Sequence, residues 1–97
     1  MSTSTETAED IEIGYPSSFK VIVFRNETVP MEFYLAILTA IFEKDEQSAV
    51  DITRTIFTDG RCPTGVYSKE IATNYMEQAN KVSKENGFEI KMVLEEA

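Results

Sequence analysis

Four consecutive polar side chains, Arg25, Asn26, Glu27 and Thr28, interrupt an apolar stretch near the start of the chain. Together they offer a cation, an amide, a carboxylate and a hydroxyl, the groups that hold a charged or hydrogen-bonding ligand. A nucleophile with a base beside it is missing. The chain has no histidine and one cysteine, Cys62, which excludes a His/Cys metal centre, a Ser-His-Asp or Cys-His arrangement and an internal disulfide. The residue types therefore point to recognition rather than catalysis, with no cofactor and no metal. Carboxylates are plentiful but fall on helix faces and ends. Glu43, Asp45 and Glu46 bunch between two helices at a spacing that matches no calcium loop, and they read as a solvated acidic surface.

The elements that must position the four polar residues are a strand before them and a helix after them. Over residues 19–24, Phe19, Val21 and Val23 share one side and Ile22 and Phe24 the other, the period of two of a strand. Pro30 then suits the first turn of a helix, its fixed φ being ready for position N1. That helix is predicted over 30–43. Its apolar set includes Met31, Phe33, Tyr34, Leu35, Ile37, Leu38, Ile41 and Phe42, too wide for one buried stripe. Leu35, Leu38 and Phe42 form one stripe with Met31 at its start; Phe33, Ile37 and Ala40 or Ile41 form a neighbouring one. One stripe meets the sheet, and the other meets a second helix or a ligand.

Asp45 is a candidate N-cap for a helix over 46–57, with Ala49, Ile52, Thr53 and Ile56 on one face and Phe57 at its end. Asp59 and Gly60 supply a turn. The stretch 61–67 is short, with β-type Val66 and Tyr67, and Pro63 makes it an edge strand or an irregular crossing. Ser68 is the N-cap of a third helix with Glu70 in its first turn; Ile71, Tyr75, Gln78 or Ala79, and Val82 give its buried side, which Ala72 and Met76 widen. Gly87 ends it in the left-handed conformation. The alternation from Phe88 to Leu94 predicts a closing strand. The order β-α-α-β-α-β, with a three-stranded antiparallel sheet, is that of an α+β two-layer sandwich. Residues 1–17, rich in Ser, Thr and Glu, read as a flexible tail, leaving 18–97 as the domain.

The formal charge of −8 disfavours nucleic acid and anionic membrane as partners. An apolar run near the roughly 20 residues of a membrane span is missing, and the first residues lack the basic flank and apolar core of a signal peptide. A cytoplasmic location is the expectation.

The stretch FKVIVFRNETVPMEF, followed at matching spacing by AVDITRTIF and GRCPTGVYSKEIA, resembles the ClpS family, the small adaptors of the Clp ATPase–protease. The resemblance covers about four-fifths of the chain and implies the fold derived above. It implies an adaptor that docks on the N-domain of a ClpA- or ClpC-type ATPase and holds proteins by a bulky apolar N-terminal residue. In the family, the α-ammonium group is held by the first Asn and Asp of Asn-Asp-Asp and by a His at the end of the second helix. The matching residues here are Arg25, Asn26 and Phe57, with Glu27 at the second Asp and Thr28 after it. A cation stands where an ammonium group should be received. A one-residue slip that put Asn26 and Glu27 in those places would turn the strand inside out unless a bulge absorbed it. By the same resemblance Met31 stands at a pocket rim, Thr53 and Ile56 match the pocket wall, and Glu70 and Tyr75 fall on the ATPase-docking surface.

The resemblance thus implies an adaptor with altered or lost N-degron recognition. A regulator that occupies the ATPase and delivers nothing is the alternative, and a structural interaction module unrelated to Clp is the second.

Overall fold

The computed structural model describes residues 18–97; the tail expected over 1–17 lies outside the described residues. The elements are β1 (Ser18–Phe24), α1 (Met31–Ala40), α2 (Glu46–Asp59), β2 (Arg61–Ser68), α3 (Lys69–Glu85) and β3 (Met92–Glu96). β1 is the middle strand of an antiparallel sheet ordered β2-β1-β3. This is the α+β sandwich the periodicities predict.

The alternation of β1 decides which face the helices cover. Val21 and Val23 join Tyr34, Ile37, Leu38, Ala49, Ile56, Ala72 and Ala79 in one buried cluster. Burying an aliphatic side chain of this size contributes about 1.5–3 kcal/mol. Ile22, on the other side of β1, lies opposite Pro63 and Val93. The ladder to β3 runs in step from Phe19 to Val23, and its rhythm continues as Phe24 N–H donates to the Lys91 carbonyl and Arg25 N–H to that of Gly60. The one irregularity lies between Lys20 and Ile22 in the pairing with β2, where β2 carries the extra residue. β1 itself holds no bulge, and Arg25 follows the strand directly.

Several boundaries differ from expectation. Pro30 is the N-cap of α1, with extended ψ of 154°, and Met31 is its first residue. α1 stops at Ala40 rather than residue 43: Phe42 N–H donates to Ile37 O, Lys44 N–H to Leu38 O, and Glu43 takes a left-handed φ of 59° that an α-helix cannot continue. Asp45 occupies the N-cap of α2 without a side-chain capping bond. α2 continues past Phe57 to Asp59, where Gly60, at φ 89°, closes it through its N–H to Ile56 O. Ser68 caps α3 as expected, its hydroxyl accepting from Ile71 N–H at 3.3 Å. The closing strand begins at Met92; before it, Lys91 O accepts from Phe24 N–H and Glu89 O from the Asn26 side chain, without further strand pairing.

Candidate functional site

The elbow is residues 25–29. It is a turn closed by Val29 N–H donating to Asn26 O at 3.0 Å and anchored by the Val29 side chain, which is buried. Asn26 organises it. The Asn26 amide donates from Nδ2 to the Glu89 carbonyl at 2.6 Å, and its Oδ1 accepts from both Thr28 N–H at 2.9 Å and Thr28 Oγ1 at 2.8 Å. The Asn26 N–H donates to the Tyr34 hydroxyl at 2.7 Å, and that hydroxyl donates in turn to the Phe24 carbonyl at 3.1 Å. The amide that could face a ligand is therefore committed to the fold at both ends.

Arg25 and Phe57, far apart in sequence, meet here. The guanidinium donates from Nη1 to the Phe57 carbonyl at 3.3 Å and lies over the Phe57 ring with 4.8 Å to its centroid. Among the described residues the one ion pair is Arg54 with Asp51, so Arg25 is held by a carbonyl and a ring, not by the neighbouring Glu27. Lys91 and Arg61 approach the Phe24 ring, with 4.8 and 5.9 Å to its centroid. The cations near the exit of β1 thus rest on aromatic faces, an arrangement worth about 0.5–1 kcal/mol each at exposed sites. Beside the elbow lies an open cleft of about 820 Å³ whose lining includes Arg25, Asn26, Thr28, Lys84, Glu89 and Lys91.

The residues expected to wall a pocket under the elbow are not open. Ile56 is fully buried and Thr53 is 1% exposed, while Met31 stands out at 46%. Tyr34, which the sequence leaves outside both stripes of the first helix, is buried in the same cluster as Ile56. It is 1% exposed, packs edge-on to Phe57 with ring centroids 5.5 Å apart, and shares the core with Ile56. Burial raises the pKa of its phenol above the ordinary value, so the hydroxyl keeps the proton it donates to Phe24 O. The signal for Tyr34 was an extra aromatic position one residue outside the stripes, too weak to name it.

Glu70 and Tyr75 leave α3 in different directions. Glu70 is exposed and lines a shallow hollow of about 640 Å³ on α3 with Lys69, Thr73, Asn74 and Glu77. Tyr75 turns inward, its ring 5.3 Å from that of Phe42 and 5.2 Å from that of Tyr67. Five residues along a helix is about 140° of rotation, which sends the two side chains apart. Cys62 is half-buried, burial pushes its thiol up, and nothing around it assigns it a role. Among the described residues there is no group of three metal-ligating side chains, and no helix is long and apolar enough to cross a membrane.

Comparison with known proteins places this geometry in a lineage. Residues 15–93 match the family model for the ATP-dependent Clp protease adaptor protein ClpS. The chain is 31% identical over 96 residues to the ClpS adapter of Nautilia profundicola, covering 99% of each. It is 32% identical to that of Wolinella succinogenes, covering 95% of this chain and 90% of the relative, and 34% to that of Burkholderia thailandensis, covering 84% and 79%. A solved structure of Agrobacterium tumefaciens ClpS2 bound to L-phenylalaninamide superposes with a TM-score of 0.80 at 25% identity, covering 86% of this chain and all of that one. With the strand–elbow–helix architecture and the sheet order in agreement, the chain belongs to the ClpS family, the adaptor proteins of the ATP-dependent Clp protease.

Proposed function

We propose that this chain docks on the N-domain of a ClpA- or ClpC-type ATPase through the outer face of α3 around Glu70, and that it shifts which substrates the protease receives while ordinary N-degron recognition at the elbow is weakened or lost. It acts as an adaptor, not an enzyme, and a cytoplasmic location goes with that partner. One observation carries the altered recognition: the Arg25 guanidinium, fastened to Phe57, occupies the strand exit that would receive an α-ammonium group. At roughly 4 Å and an effective dielectric near 20, two like charges repel by about 4 kcal/mol. Asn26 and Thr28 offer little compensation, because they are hydrogen-bonded to each other and to residue 89.

The ClpS2 structure holds L-phenylalaninamide, a free amine with a bulky apolar side chain. For this chain, calorimetric titration with peptides beginning in Leu, Phe, Tyr or Trp, each free and N-acetylated, should show little preference for the free amine. A strong preference would overturn the reading of Arg25. Docking is tested by pull-down with ClpA- and ClpC-type N-domains; no binding at high micromolar concentration would overturn it.

The internally satisfied elbow favours a second reading, a regulator that occupies the ATPase and delivers nothing. A degradation assay separates the two: an adaptor speeds turnover of some substrate, whereas a regulator only slows it. Clp-dependent proteolysis that is the same with and without the protein would sink both.

A further inference from the structure

The sheet has a second face, turned away from the core. The helices pack on the side of Val21 and Val23, and the core gathered there includes Phe19, Tyr67, Met92 and Leu94 but not Ile22, Phe24 or Val93. The ladders set those three in rows on the opposite face, since alternate residues of a strand share a side. Ile22 stands between Pro63 of β2 and Val93 of β3. Two residues on, Phe24 stands between Arg61 of β2 and Lys91, each with its charged end over the ring. Two residues back, Lys20 stands between Val66, 59% exposed, and Glu95. In a chain with 17 acidic and 9 basic residues, this patch carries three cations and one carboxylate. Arg61 and Lys91 are exposed, and among the described residues neither joins an ion pair. An apolar row thus lies beside a row with two unpaired cations, about 7 Å away, the rise of two strand residues.

The net negative charge of the chain repels densely charged anions such as nucleic acid. A ligand suited to this patch therefore carries few charges and sets apolar surface beside them. An extended peptide has the matching repeat, because its alternate side chains are also about 7 Å apart. We propose that the sheet face opposite the helices is a docking surface for an extended acidic peptide segment of another protein, one with a carboxylate two residues from an aliphatic side chain. The aliphatic group lies against Ile22, Pro63 and Val93, and the carboxylate reaches Arg61 and Lys91, where a guanidinium receives it through two parallel hydrogen bonds. Such a segment needs no free amine and touches neither Arg25 nor Glu70, so this proposal is independent of both readings given above.

The test titrates the full chain, labelled with nitrogen-15, with the peptide acetyl-Ser-Glu-Ser-Ile-Ser-Glu-Ser-amide, whose carboxylates flank the isoleucine so that either chain direction fits. The blocked ends remove any contribution from a free amine. Saturable shifts are expected at the amides of Ile22, Phe24, Arg61 and Val93, weakening as salt is raised. The peptide with lysine for glutamate should bind about tenfold more weakly, as reversed charges do, and the one with serine for isoleucine also about tenfold, for the lost apolar contact. Arg61→Gln and Lys91→Gln should each cost about twofold to fivefold, the worth of an exposed charge pair; should one variant not fold, the other carries the test. Shifts confined to the elbow or α3, equal binding of the lysine peptide, or folded glutamine variants that bind as the unaltered chain does overturn the proposal. Inorganic phosphate moving the same amides as far would make the patch a simple anion site and overturn it as well. Residues 9–13, Glu-Asp-Ile-Glu-Ile, carry similar chemistry, so the full chain with Ile11→Ser and Ile13→Ser is titrated too. Tighter peptide binding by that variant would make a segment of this chain the occupant and overturn an outside partner; unchanged binding supports one.

Discussion

The elbow and the outer face of α3 are built from the same kinds of polar residue and use them in opposite ways. At the elbow, Arg25, Asn26 and Thr28 turn their groups onto the chain itself, and Tyr34 completes the network from below. On α3, Glu70, Asn74 and Glu77 stand in solvent around an open hollow. A polar group bonded to its own backbone contributes to stability and has little left for a ligand; a solvated one contributes little to stability and is free to meet a partner. The difference teaches that polar residues near a cleft need not be binding residues. Stability is expected to depend on the elbow, and association on α3.

That contrast breaks most visibly at Tyr34. Tyr34→Ala should lose about 3–5 kcal/mol in urea unfolding, the range for deleting a buried aromatic ring. Its hydroxyl also sets a pH dependence. Because burial raises the folded-state pKa, the phenol holds its proton more tightly folded than unfolded. Its contribution is fully present below pH about 10 and is lost as pH rises from there through the folded value. Cys62 titrates in the same direction, so the check is the difference between the unaltered chain and Tyr34→Phe, whose alkaline decline should be shallower.

Asn26→Ala comes next. It removes the strap to Glu89 and both bonds from Thr28, and about 1–3 kcal/mol should be lost in the same assay. ATPase association should be unchanged. Ser68→Ala removes the cap of α3 and should cost about 1 kcal/mol, again by urea unfolding. It lies next to the docking face proposed around Glu70, so a loss of association beyond what the lost stability explains would place the edge of that face. Glu70→Arg should shift stability by less than about 0.5 kcal/mol, yet weaken N-domain association at least tenfold, as a reversed charge at a contact does. If Glu70→Arg unfolds the chain, or Asn26→Ala abolishes association while folded, the contrast between the two regions is wrong.

Much of this was legible in the order of residues. The alternation of Val21 and Val23 against Ile22 selects the buried face of β1, the spacing of Ala49, Thr53 and Ile56 marks the inner face of α2, and Ser68 announces α3. Those are local properties: a period, a cap, a left-handed glycine. The site was legible in part. Arg25 is visible as a cation after a strand, but that Phe57 receives it, 32 residues later, depends on how α2 lies across the sheet. Tyr34 was one of eight apolar positions in a helix with too many, and period alone cannot rank residues that all fit. The alternation from Phe88 suggested a longer strand than forms, because strand pairing competes with the Asn26 bond to Glu89, and that bond joins residues 63 positions apart.

The amino-acid sequence by itself determined the element order, the sheet-facing sides and the cationic residue at the strand exit, since each follows from short-range periodicity and residue type. Only the tertiary structure decided that Tyr34 is buried with its hydroxyl on the end of β1, that Asn26 and Thr28 are bonded inward and that Tyr75 packs against Phe42 while Glu70 stays exposed. Those outcomes depend on which distant groups come within hydrogen-bond and van der Waals reach, and that is settled by packing rather than by position along the chain.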